Sequence, residues 1–188
     1  DDNAIEHLAD DLEKSVSLLE KALGRKMDLN RLQEACELSN QARELSIKCN
    51  ELRLTSPPLI RGSLGVYFAV IFSQLWGKQE LVDIQKQFYE DLLARKNEIE
   101  GKISIEDTHR ILWLHLPPFY DSRLLDYIEL TCNTPIVFEE VNGIEWEPLI
   151  INDPYRSLAR KLLTSGFLDP KFRVDGIKKR SVQGKFNG

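Results

Sequence analysis

No hydrophobic run in this 188-residue chain is long enough to cross a bilayer. The most apolar window, Leu64 to Trp76, is broken by Gln74 and falls short of the roughly 18 to 20 residues that a membrane span requires. It reads as a buried helix, and no membrane partner is expected. Cysteine is almost as scarce: Cys36, Cys49 and Cys132 are odd in number and far apart, which argues against a disulfide framework and for a reducing cytoplasm. A basic face with interleaved aromatics is missing too, and the net charge is −5, so nucleic acid is not an expected partner. The opening "DDNAIEHLADDLEK" has neither the basic start nor the apolar stretch of a secretion signal. The sequence shows no nucleophile–base pair, phosphate-cradling glycine loop or metal-ligand spacing that would announce a chemistry by itself.

What is present is enough apolar residue, 42%, beside 29% charged, to build a core for one domain or for a domain and part of another. Ile5, Leu8, Leu12, Val16, Leu19 and Leu23 recur at spacings of three and four, one face of a helix that Gly24 can stop. Asp28 is placed to cap a second helix with Leu32, Ala35, Cys36, Ser39, Ala42, Leu45, Cys49 and Leu52 on its apolar face, ending before "SPP". Cys36 and Cys49 lie thirteen residues apart, about 20 Å along a helix axis, too far to share one ion. They read as small core residues.

"RLTSPPLIRGS" must redirect the chain, after which Ser63 can cap an enclosed apolar helix through Leu75, with Gly77 as its stop. Leu81, Ile84, Phe88 and Leu92 mark a fourth helix, and the polar "ARKNEIEGK" reads as a linker. Beyond it the pattern changes. "ILWLHL" is a strand-like run, "SRLLDYIELT" a helix with Leu124, Leu125 and Ile128 on one face, and "PIVFEE" a second strand. Strand, helix, strand is a βαβ unit, and a near-continuous apolar strand suits a parallel sheet covered on both faces. Asp153 and Pro154 open a further helix that Gly166 can stop, and a last helical run begins near Pro170 with Phe172, Val174 and Ile177.

The fold class expected is therefore α/β: a helical region over residues 1–100, linked to a preceding domain, then an incomplete βαβ domain over 101–188 that forms part of a doubly wound, Rossmann-like parallel sheet of few strands. Two strands make a poor independent sheet, so a piece of a longer chain is expected, with an exposed sheet edge and a tendency to associate.

The candidate site follows from topology. In such sheets ligands bind at the carboxyl ends of the strands, which is where "HLPPFYD" lies. His115, Pro117, Pro118, Phe119 and Tyr120 are its candidate substrate-binding residues; the prolines stiffen the loop, the aromatics either meet a ligand or cover the sheet edge, and His115 is either a base or ligand or a structural histidine. Glu139 and Glu140 end the second strand and either face a ligand or, the commoner role, cap the sheet.

Four stretches in this order, "LNRLQEACELSNQARELSIKCNELR", "SPPLIRGS", "RILWLHLPPFYDSRLLDYIE" and "EPLIINDPYRSLARKLL", resemble the iron–sulfur subunits of the 2-hydroxyacyl-CoA dehydratase and benzoyl-CoA reductase family. The resemblance implies a heterodimer of related subunits, a [4Fe-4S] cluster on cysteines, and an ATP-hydrolysing activator that injects one electron. The thioester carbonyl of an acyl-CoA would become a ketyl radical anion and expel hydroxide to give an enoyl-CoA. It also implies that Pro117 to Tyr120 lie near the cluster and acyl site, and that the Pro57–Pro58 turn is a loop between domains. Cys36, Cys49 and Cys132 do not match the family's cluster ligands, so none is expected in this segment, which would be inactive alone. His115 stands where relatives commonly carry glycine. Two further readings remain open: a benzoyl-CoA reductase-type reductase subunit, and a noncatalytic helical binding or assembly module.

Overall fold

The structure is a computed structural model and describes residues 2–100, 109–116, 118, 121, 123–144 and 146–164. Helix α1 spans Asp2–Leu23, α2 Leu29–Arg53, α3 Gly62–Ser73 and α4 Gln79–Ile99. Strand β1, Ile111–Trp113, precedes α5, Arg123–Asp126, which widens into a π-type turn over Tyr127–Thr131. Strand β2, Ile136–Glu139, runs through a 3₁₀ turn, Glu140–Asn142, toward α6, Pro154–Leu163. The α/β reading holds: a helical region, then a small parallel sheet.

Helix α2 is the spine. Its buried positions are Cys36, Ser39, Ala42, Ser46, Cys49 and Arg53, a stripe of small residues at spacings of three and four that ends in one arginine. Small side chains let neighbours approach closely and interlock. Cys36 meets Trp146 and Leu149, Ala42 meets Leu81 and Val82 of α4, and Cys49 meets Leu59 and Leu92. Asp28 starts the helix as expected, its side chain accepting from the backbone N–H groups of Asn30 and Arg31. Three polar side chains on α2 then peg down the segment after β2. Asn40 exchanges two hydrogen bonds with the Leu149 backbone (2.8 and 2.7 Å), Arg43 Nε donates to the Trp146 carbonyl (2.7 Å), and Asn50 Nδ2 donates to the Asn142 carbonyl (2.8 Å).

Strands β1 and β2 pair in parallel, with Ile111 opposite Ile136, Leu112 opposite Phe138 and Trp113 opposite Glu139. The register shift between the first two pairs leaves Val137 without an opposite residue, a bulge in β2. Both faces of the sheet are covered: Ile136 packs with Val66 of α3 and Leu125 of α5, while Val137 and Phe138 pack with Leu54.

Several expectations are corrected. Ser63 does not cap α3. The helix begins at Gly62, and the N–H groups of Gly62 and Ser63 donate instead to the carboxylate of Glu129 (2.7 and 3.4 Å), far away in sequence. Helix α3 ends at Ser73 rather than Leu75, although Gly77 does adopt a left-handed turn conformation (φ +81°). Nor is α3 enclosed: Leu64, Tyr67, Val70 and Ile71 are each 40 to 50% exposed. The polar stretch taken as a linker is helical through Ile99, because nothing in it breaks the α4 pattern before Gly101. Strand β1 is half the expected length, for the backbone turns at His115. Of the expected apolar face, Leu125 is buried with Ile128 packed in the same cluster, whereas Leu124 is exposed. The α1 stripe is covered only at its start: Ile5 and Ala9 pack with Ala159 of α6, whereas Leu19 and Leu23 are exposed. Asp153 precedes α6 without a side-chain cap; its carbonyl accepts from the Ser157 N–H. The Gly166 stop and the helix near Pro170 lie outside the described residues.

Glu129 has a third task, accepting from the Ile136 N–H (3.1 Å), so one carboxylate joins the start of α3 to the start of β2. A carboxylate at a helix N-terminus is favoured by the orphan N–H groups and by the helix dipole. Glu129→Ala is expected to lower unfolding stability by about 2 kcal/mol, read as a lower urea midpoint at unchanged slope.

Candidate functional site

The carboxyl ends of β1 and β2 carry Trp113 and Glu139 side by side, followed by His115 and Glu140. Glu139 is fully buried, and its partner is Arg53, the last residue of α2, itself only 4% exposed. Arg53 Nη2 donates to both carboxylate oxygens, at 2.7 and 2.6 Å. Asn142 Nδ2 donates to Glu139 Oε2 (2.9 Å) and to the Gly65 carbonyl (2.8 Å), which ties the pair to α3.

At Gly65 any side chain would displace the ion pair. A Cβ there would lie 2.5 and 2.6 Å from the Glu139 oxygens and would also collide with Arg53 Nη2. One turn earlier, a Cβ on Gly62 would come within 2.5 Å of Ile136 Cβ. Two glycines three residues apart thus lay the first turn of α3 directly on β2 and the ion pair. Neither they nor Arg53 stood out as site residues in the sequence. The signals were a charged residue continuing the small-residue stripe of α2 and the Gly-x-x-Gly spacing in "RGSLG".

His115 turns the chain out of β1 with a left-handed backbone, φ +65°. That region favours glycine, and histidine is among the residues that enter it less reluctantly. The Glu140 carboxylate secures that conformation by accepting the His115 N–H at 2.6 Å. Of the candidate loop, His115 and Pro118 are described: His115 is exposed, and the Pro118 carbonyl accepts from the Asp121 N–H. Pro117, Phe119 and Tyr120 lie outside the described residues. The loop's far side is fixed electrostatically. Hydrogen bonds from the Arg123 side chain, then from its backbone N–H, hold the Asp121 carboxyl at about 2. Of the two roles open to Glu139 and Glu140, the structure shows structural contacts at the sheet edge: Glu139 is buried against Arg53 and Glu140 accepts from His115.

The three cysteines stand apart. Cys36 and Cys49 are buried in different apolar clusters and Cys132 is exposed. Burial pushes the Cys36 thiol up, opposed by the nearby Lys161 charge; burial pushes Cys49 up to about 12, opposed by Arg53. Cluster ligands are thiolates, and among the described residues no three His, Cys, Asp or Glu side chains gather as a metal site. The described residues therefore do not fit an iron–sulfur cluster. Nor, among the described residues, is any helix long and apolar enough to cross a membrane.

With the architecture placed, comparison with protein-family models decides the relationship. The model of 2-hydroxyglutaryl-CoA dehydratase, D-component, matches residues 1–186. The chain belongs to that family. Searches of curated proteins and of solved structures returned no match. The family is that of a dehydratase component, a lyase, which supports a dehydratase-type role for the chain.

Two outcomes follow from the geometry. Glu139→Gln strands a buried guanidinium and is expected to cost about 3 to 5 kcal/mol in unfolding stability, measured by denaturant titration. With a thiol reagent at about pH 8, Cys132 alone should react in the native chain, Cys36 and Cys49 only after unfolding, as counted by mass spectrometry. Since the Cys49 value is raised on folding, its contribution is intact below about 9 and is lost as pH rises toward about 12.

Proposed function

We propose that this chain is part of a subunit that removes water from a 2-hydroxyacyl-CoA to give an enoyl-CoA. The observation that carries the reading is the dehydratase D-component match over 1–186, which spans nearly all 188 residues. The chemistry explains why a special route is needed. Eliminating a hydroxyl from the carbon next to the thioester cannot draw on an acidic proton at that carbon, so electron density has to be supplied there. One electron, delivered by an ATP-dependent activator, turns the thioester carbonyl into a ketyl radical anion that expels hydroxide. A proton then leaves and the electron is returned, so the net change is loss of water alone.

The proposed complex contains a related partner subunit, and its [4Fe-4S] cluster is held by residues other than those described. The contribution of this chain is positional. The His115–Tyr120 loop borders the acyl group, and its start is fixed by Glu140, while Arg53, Glu139 and Gly65 hold the carboxyl edge of the sheet rigid behind it.

The test is anaerobic reconstitution with partner subunit and activator, following acyl-CoA products by mass and reductant by titration. Enoyl-CoA formed without net reductant consumption is expected. Stoichiometric consumption with a reduced acyl product would identify a benzoyl-CoA reductase-type enzyme instead. A complex lacking iron, sulfide and turnover would leave a binding or assembly role.

A further inference from the structure

Helices α3 and α5 lie side by side over one face of the sheet, joined through the cluster of Val66, Leu125, Ile128 and Ile136. Two polar contacts fix them to each other: the Gly62 N–H donates to Glu129 (2.7 Å), and Arg61 Nη1 lies 3.2 Å from Asp126 Oδ1. What they turn away from the sheet is apolar as well. On α3 the outward residues are Leu64, Tyr67, Val70 and Ile71; on α5 and its π-type turn they are Leu124, Tyr127 and Leu130. Each of these side chains is 40 to 65% exposed.

The size of this surface decides how it should be read. At those exposures the side chains present roughly 700 Å². Monomers leave at most about 300 to 600 Å² in one apolar patch. A stable dimer buries about 800 Å² on each partner. The surface is therefore more than a monomer ordinarily leaves bare, and close to one side of a standard interface.

Charge selects the occupant. From Gly62 to Gly77 the chain carries no charged residue. At the margin the charges are paired within the chain, Arg61 with Asp126 and Arg123 with Asp121 (2.6 Å). A helix that lies on a membrane surface needs a lysine- and arginine-rich polar flank, which α3 lacks. A charged partner would find no opposite charge on α3 to meet. An identical surface, by contrast, can be laid against this one across a two-fold axis without opposing like charges.

We propose that the outward face of α3 and α5 is a self-association surface, on which a second copy of this chain docks to form a symmetric dimer. Leu64, Val70, Ile71 and Leu130 supply its apolar centre. Tyr67 and Tyr127 add the large aromatic area, with one polar end each, that is enriched at such contacts. The paired ions around Asp121 and Asp126 form its rim.

Sedimentation equilibrium of the 188-residue chain from about 1 to 100 μM tests this. A monomer–dimer equilibrium is expected, and Ile71→Lys and Leu130→Lys, one on each element, should each weaken it at least tenfold, to about the degree of a central interface residue. Leu19→Lys, on the exposed part of α1, should leave it unchanged. A chain that stays monomeric throughout, or that grows beyond a dimer, overturns the proposal. So does a dimer that survives both lysines on this face, or one that Leu19→Lys breaks. The unaltered chain gives a second readout that needs no variant. Hydroxyl-radical labelling of Leu64, Tyr67 and Tyr127 should fall between dilute and concentrated samples while that of Leu19 does not; equal labelling at both concentrations refutes the surface.

Discussion

The meeting of Arg53 with Glu139 is the constraint around which the other elements are arranged. An ion pair taken out of water gains little net stability, because the attraction is spent against desolvation. What it gains is placement. Arg53 is the last residue of α2 and Glu139 the last of β2, so their contact fixes where the long helix ends relative to the sheet. Glycine at 65 is the condition for that contact, and Asn142 shares its amide between the carboxylate and the α3 backbone. Four elements converge on one carboxylate.

The rest of the packing extends the same economy along α2. Its buried stripe contributes mainly closeness, as Cys36, Ser39, Ala42, Ser46 and Cys49 are too small to supply a large core themselves. The bulk comes from what is laid against them: Trp146 and Leu149, Leu81 and Val82, Leu59 and Leu92. The tryptophan side of this arrangement is also charged. Lys161 of α6 lies 3.8 Å from the Trp146 ring centre, and burial lowers its pKa. A cation on an indole face keeps a favourable contact where water is scarce.

Where signals are local, the sequence is legible. Asp28 caps α2 because its short carboxylate reaches the N–H groups two and three residues on, and Gly24 and Gly77 take left-handed turns because they lack a Cβ. The order strand, helix, parallel strand was also readable, since both strands are short apolar runs with a helical stretch between them. Errors arose where a distant group took over a local role. The start of α3 is satisfied by Glu129, so its own Ser63 has no capping task. Of the candidate residues, His115 and Glu140 sit at the strand ends as the sequence pattern suggests, yet no periodicity announces that one backbone N–H would bind the other's carboxylate. Arg53 is invisible for the same reason, because its partner lies 86 residues away.

The two glycines at the start of α3 act as a keyed joint. With Gly62 against Ile136 and Gly65 against the ion pair, the helix can neither roll about its axis nor slip along β2 without driving backbone into backbone or side chain. A side chain at either position would therefore push α3 off the strand, and the spacing between helix and sheet is set by the absence of two methyl groups rather than by the presence of any large side chain.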